Sequence, residues 1–139
     1  MVTATAGVLD TKPLILVARL HQDDLPAEPL ITAVTLAELS VGPLVATDDR
    51  ERAARQQRLQ AVEASFETLP FDAAAARAFG GVAASLKRAG RKPTARAFDA
   101  LIAATAIAHD VSLYTCNPKD FDGIDALTVV AIPHPDGGP

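Results

Sequence analysis

Short apolar runs alternate along this chain with longer stretches whose apolar residues recur at helical spacing. Ala6 to Asp10 reads as a buried strand, and Pro13 to Leu20 as a short helix with proline in its first turn. A polar, proline-bearing loop from His21 to Pro29 follows, then a brief second strand over Leu30 to Thr32. Val34 to Leu44 carries a helical pattern whose end Gly42-Pro43 should break or bend. Asp48 is placed to cap the next helix, exposed and rich in Arg and Gln, which runs to Ser65. Phe66 to Pro70 predicts a weak third strand. Asp72 then caps a long Ala-rich helix that ends by Ala89 and is closed by Gly90. The pair Gly80-Gly81 either weakens that helix or marks a close helix contact. Arg96 to His109 predicts a helix, Val111 to Thr115 a strand, Asn117-Pro118 a turn, and Thr128 to Ile132 the last strand.

Strands alternating with helices, with no hairpin turn between strands, predict an α/β fold: a central parallel sheet covered by helices on both faces. Sites in such sheets form beyond the carboxyl ends of the strands. The expected domain is residues 1–132, followed by a flexible C-terminal tail over 133–139, where Pro and Gly accumulate.

A length of 139 residues fits one domain with one core, and 49% apolar residues with few aromatics predict a core of small and branched side chains. The longest apolar stretches are too short to cross a bilayer, and Met1 to Gly7 does not read as a signal peptide. The single cysteine, Cys116, cannot form an internal disulfide, so a cytoplasmic protein is expected. A net charge of −4 argues against a protein that coats nucleic acid non-specifically. It leaves room for an acidic site in a locally basic surround.

Four carboxylates fall where such a fold would gather them. Asp10 ends the first apolar run, Glu38 and Asp99 lie within helical patterns, and Asp120 follows the strand ending at Thr115. Asp99 heads a stripe with Ile102, Ala103 and Ala106 on one helix face. Taken singly, three of these acids have a bland reading, while Asp10, directly after an apolar strand, lies at the mouth of the fold. Asp99 could complement the helix dipole or bind Arg96, Glu38 could face water, and Asp120 could cap a turn. As a converging set they need a counter-charge, because desolvating unpaired carboxylates is costly. A divalent metal ion would supply it, which points to a metal-dependent hydrolase.

Other chemistries lack their residues. His21, His109 and His134 are dispersed, Cys116 has no histidine partner, and Gly80-Gly81 lacks the Lys-Ser/Thr of a phosphate-binding loop. Lys87, Arg88, Arg91, Lys92 and Arg96 form a basic run with no acid among them, leading to Asp99. They are candidate phosphate contacts for a nucleic acid, or else a solvated helix end. Arg50, Arg52, Arg55 and Arg58 interleave with acids and read as a solvated face.

Leu9-Asp10-Thr11, Thr35-Leu36-Ala37-Glu38-Leu39, the segment from Phe98-Asp99 to Ala106, and Tyr114-Thr115-Cys116-Asn117-Pro118-Lys119-Asp120-Phe121 resemble the successive motifs of PIN-domain ribonucleases, most closely the VapC-type toxins. The resemblance implies a three-layer α/β/α PIN-like domain that hydrolyses RNA phosphodiesters with Mg²⁺ or Mn²⁺. It also implies a homodimer, and a small VapB-type antitoxin that places an arginine among the acids. Asp10, Glu38 and Asp99 match the family's acidic metal positions, and Asp120 the fourth. Thr115 matches an accompanying hydroxyl, and Asn117 is a further polar group on that loop. Thr11 and Lys12, beside Asp10, are candidates for positioning the substrate. Lys12-Pro13 departs from the family, which usually has a small polar residue there. Lys12 could pair with Asp10 or Asp120 and compete with metal, hold a substrate phosphate, or point outward. Two other functions stay open: a silent PIN-like scaffold whose acids Lys12 satisfies, and a phosphoryl-transfer domain using Asp10 as nucleophile.

Overall fold

The computed structural model describes residues 6–137. The expectations for the first five residues and for the end of the tail lie outside that range. Five strands form one parallel sheet in the order β3-β2-β1-β4-β5. They are β1 (Ala6–Leu9), β2 (Glu28–Thr32), β3 (Glu67–Leu69), β4 (Ser112–Thr115) and β5 (Val129–Ala131). The chain builds outward from β1 to β2 and β3, then returns to lay β4 on the other side of β1. Right-handed crossovers running in opposite directions put their helices on opposite faces. The helices are α1 (Thr11–Ile15), α2 (Ala33–Leu44), α3 (Asp49–Ser65), α4 (Ala73–Arg88) and α5 (Ala97–Ala108).

Strand alternation splits the core into two layers. Val8, Leu30 and Leu113 face one cluster with Val82 and Leu86 of α4 and Ile102 and Ala106 of α5. Leu9 and Ile31 face the other, with Leu14 of α1, Leu39 of α2 and Val62 of α3. The small residues on α5 let it lie close to the sheet: Ala103, Ala104 and Ala106 are completely buried. β1 and β4 also approach tightly, since a Cβ at Gly7 would collide with the Tyr114 ring.

Several boundaries differ from those expected. α1 starts at Thr11, because the Asp10 carboxylate accepts the Thr11 N–H at 2.8 Å, and a 3₁₀ turn over Val17–Arg19 replaces its expected second half. β2 begins at Glu28; Pro29 is tolerated because pairing with β3 starts only at Leu30. Pro43 stays inside α2, buried, and the helix continues to Leu44. α4 runs unbroken through Gly80 and Gly81, and a Cβ at either would meet nothing within 4 Å, so no packing contact within the chain requires glycine there. Within the expected tail, Asp136 pairs with Arg19.

Candidate metal centre

The strand order reverses between β1 and β4, and their carboxyl ends diverge into a cleft of ≈ 500 Å³. Asp10, Glu38, Asp99 and Asp120 all line it. Asp10 leaves β1 directly into the N-terminus of α1. Only 8% of it is exposed, and both oxygens are engaged: Thr11 N–H donates to Oδ1 at 2.8 Å, and the Thr115 hydroxyl donates to Oδ2 at 2.9 Å. Thr115, completely buried at the end of β4, also accepts the Asn117 N–H at 3.0 Å, which ties the following loop to the same point.

Glu38 projects from α2 toward α1, where the Thr11 hydroxyl donates to Oε1 at 2.8 Å. Two buried threonines stand behind that contact. Thr32, the N-cap of α2, accepts the Thr35 N–H at 3.1 Å and donates to the Thr35 hydroxyl at 3.4 Å. Because the Thr11 proton goes to Glu38, the 3.3 Å contact between Thr35 and Thr11 has Thr35 as donor. The hydroxyls therefore run in one direction from Thr32 to Glu38. Thr32 and Thr35 were not among the sequence candidates. The available signal was spacing, since Thr35 and Glu38 lie three apart on one helix face.

Asp99, in the first turn of α5, and Asp120, in the 3₁₀ turn Pro118–Phe121, meet at a single guanidinium. Arg96 Nη1 lies 3.1 Å from Asp120 Oδ1 and 3.7 Å from Asp99 Oδ2. Burial pushes the Asp99 carboxyl up to about 6; repulsion from Asp10 and Asp120 adds to it, and Arg96 opposes it. Burial likewise raises Asp10 and Glu38 above the usual carboxylate range, against the hydrogen bonds that lower them. Acids outnumber cations around the cleft, and the four carboxylates offer oxygens, the donors that hard divalent ions prefer. In kind, the residues fit such an ion. In arrangement they stop short of it: among the described residues, no three His, Cys, Asp or Glu side chains are grouped to hold a metal.

Residues 8–127 match the PIN domain family. The chain belongs to it. It is similar to "Ribonuclease VapC5" of Mycobacterium tuberculosis, 38% identical over 133 residues that cover 94% of this chain and 96% of the relative. It is also similar to "Ribonuclease VapC" of Rickettsia bellii, 31% identical over 103 residues, covering 74% and 75%. Among solved structures, a Mycobacterium tuberculosis member of the VapBC family of toxin-antitoxin systems, VapBC-5, superposes with a TM-score of 0.79 at 36% identity, covering 91% of this chain and 98% of that one. VapBC2 of Rickettsia felis shares the fold, with a TM-score of 0.71 at 23% identity over 89% of this chain and 96% of that one.

The remaining candidates of this PIN domain sit at graded distance from the acids. Lys12 lines the cleft, is exposed, and makes no ion pair among the described residues. Asn117 is exposed on the adjoining loop, its backbone rather than its side chain engaged. Arg91 and Lys92 line a second, smaller pocket of ≈ 210 Å³, with Arg91 donating to the Asp122 carbonyl. Arg88 is turned away to Asp125 at 3.1 Å, and Lys87 is exposed on the last turn of α4, outside the lining of either pocket. His134 and Asp136 complete the rim of the acidic cleft, a role that nothing in their sequence surroundings signalled.

Proposed function

We propose that this PIN domain is a metal-dependent endoribonuclease of the toxin type, cutting RNA phosphodiesters and held silent by a small antitoxin. The observation that carries the reading is the convergence of Asp10, Glu38, Asp99 and Asp120 on one cleft at the switch point of the sheet. The names of the relatives support the substrate class and the partner: two are called ribonucleases, and the solved structures are toxin–antitoxin systems. The acids would hold Mg²⁺ or Mn²⁺. The chemistry such an ion supplies is a more acidic water and a polarised scissile phosphate.

The chain's own residues set the geometry. Thr11 and Thr115 fix Asp10 from two sides, and Thr11 also aims Glu38, so these two carboxylates are oriented before anything binds. Asp99, whose carboxyl is pushed up to about 6 by burial and by its acidic neighbours, is a carboxylate that a bound cation would relieve. Arg91 and Lys92, in the adjoining pocket, would hold substrate phosphates. A homodimer belongs to the same proposal and is checked by light scattering.

Asp99→Ala should abolish Mg²⁺-dependent RNA cleavage while circular dichroism stays unchanged. Parental cleavage rates in that variant, with contaminating nuclease excluded, would overturn the role of Asp99. The two rival readings lack the contacts they need: Lys12 makes no ion pair with the acids among the described residues, and Asp10 is too buried and too fully bonded for a phosphoryl-accepting nucleophile.

A further inference from the structure

Arg96 occupies an unusual place. It is the N-cap of α5, yet its side chain caps nothing, and a cation at a helix N-terminus opposes the helix dipole. The helix therefore gives no account of it. Its one Nη1 bridges Asp99 and Asp120, whose side chains are 24% and 18% exposed, while its own is 54% exposed. Arg96, Asp99 and Asp120 are also the three residues shared by the acidic cleft and the smaller pocket lined by Arg91 and Lys92. The ion pair is thus a partition between an anionic cavity and a cationic one.

We infer that Arg96 is an exchangeable counter-ion, a positioning residue that neutralises Asp99 and Asp120 until a divalent cation replaces it. Once released, it turns into the adjoining pocket to hold a phosphate of the RNA. This rests on the nuclease reading above. Three observations carry it. The acids lack a metal-ready grouping while the guanidinium bridges two of them. The Arg96 side chain is 54% exposed, so solvent screens its side of the pair and a divalent ion can displace the arginine. The pocket that would receive it already presents Arg91 and Lys92.

The test compares the parental protein with Arg96→Gln and Lys12→Gln in two titrations. The first follows Mn²⁺ by calorimetry. The second follows a fluorescent 2′-O-methyl RNA oligonucleotide, which is not cleaved, in the presence of Mn²⁺. Arg96→Gln should bind Mn²⁺ about three- to tenfold more tightly and the oligonucleotide several-fold more weakly. Lys12 lines the same cleft without touching an acid, so Lys12→Gln should change Mn²⁺ affinity by less. Opposite movement of the two affinities is what a merely structural role would not produce. Unchanged Mn²⁺ affinity in Arg96→Gln, an equal gain in Lys12→Gln, or unchanged oligonucleotide binding would each overturn the exchange. If neither the parental protein nor Arg96→Gln takes up Mn²⁺, the metal reading falls, and this inference with it.

Discussion

At the scale of single residues, the cleft depends on hydroxyls as much as on acids. Thr115 is completely buried and gives its only proton to Asp10 Oδ2. Replacing it with valine keeps the shape and leaves a buried carboxylate oxygen without its donor. Such a loss costs about 1–3 kcal/mol. Thr115→Val should therefore lower the urea midpoint by a corresponding amount, and Thr115→Ser, which keeps the hydroxyl, should restore most of it. If the valine and serine variants unfold alike, the bond to Asp10 contributes nothing measurable. Thr11 is the parallel case on the other side: its hydroxyl holds Glu38 while its backbone N–H holds Asp10. The two hydroxyl contacts join residues 105 and 27 positions apart, and local pattern carries no trace of them. The acids were legible because carboxylates beside apolar runs are conspicuous, whereas a threonine in the same place reads as ordinary strand or helix.

At the scale of elements, end signals were the most readable part of the chain. Asp48 and Asp72 both cap their helices, accepting the Glu51 N–H at 2.7 Å and the Ala75 N–H at 3.0 Å. Gly90, with φ of +79°, follows the end of α4 in the left-handed conformation glycine favours. Asp72→Ala should cost about 1 kcal/mol in a denaturant titration. Because Asp72 is not among the residues lining the acidic cleft, Mn²⁺ affinity in that variant should stay at the parental value. The boundaries that differed did so where tertiary context overrode a local rule. Pro29 reads as a loop residue until the sheet order shows that this position, which has no N–H to donate, falls before the β3 ladder begins. Pro43 reads as a breaker, yet it sits in the last turn of α2, where little helix remains to lose. α1 began early because Asp10 caps it, so one side chain serves both the helix and the cleft.

At the scale of the whole molecule, reversing the sheet order concentrates negative charge. Placing β4 beside β1 brings Asp10 and Thr115 together. α2, α5 and the loop after β4 then add Glu38, Asp99 and Asp120 around the same cleft. That gathering weakens the fold at neutral pH. Asp99 has a native-state pKa of about 6, against 3.8 for the unfolded chain. Between those values the native state binds more protons, so the contribution of Asp99 to stability is lost as pH rises through the window. Below it, an Asp99→Asn variant and the parental protein carry the same charge at this position and should differ little. Above it, the variant should be more stable by roughly 1–2 kcal/mol, after allowing for the quarter of the side chain that solvent screens. Adding Mg²⁺ at neutral pH should raise the parental melting temperature and narrow that gap, because a ligand that binds only the native state stabilises it by mass action. Melting curves at pH 4 and pH 8, with and without Mg²⁺, measure all of this. A gap of equal size at both pH values would mean that Asp99 is not strained by its neighbours, and a parental protein indifferent to Mg²⁺ would mean that the strain is not what a cation relieves.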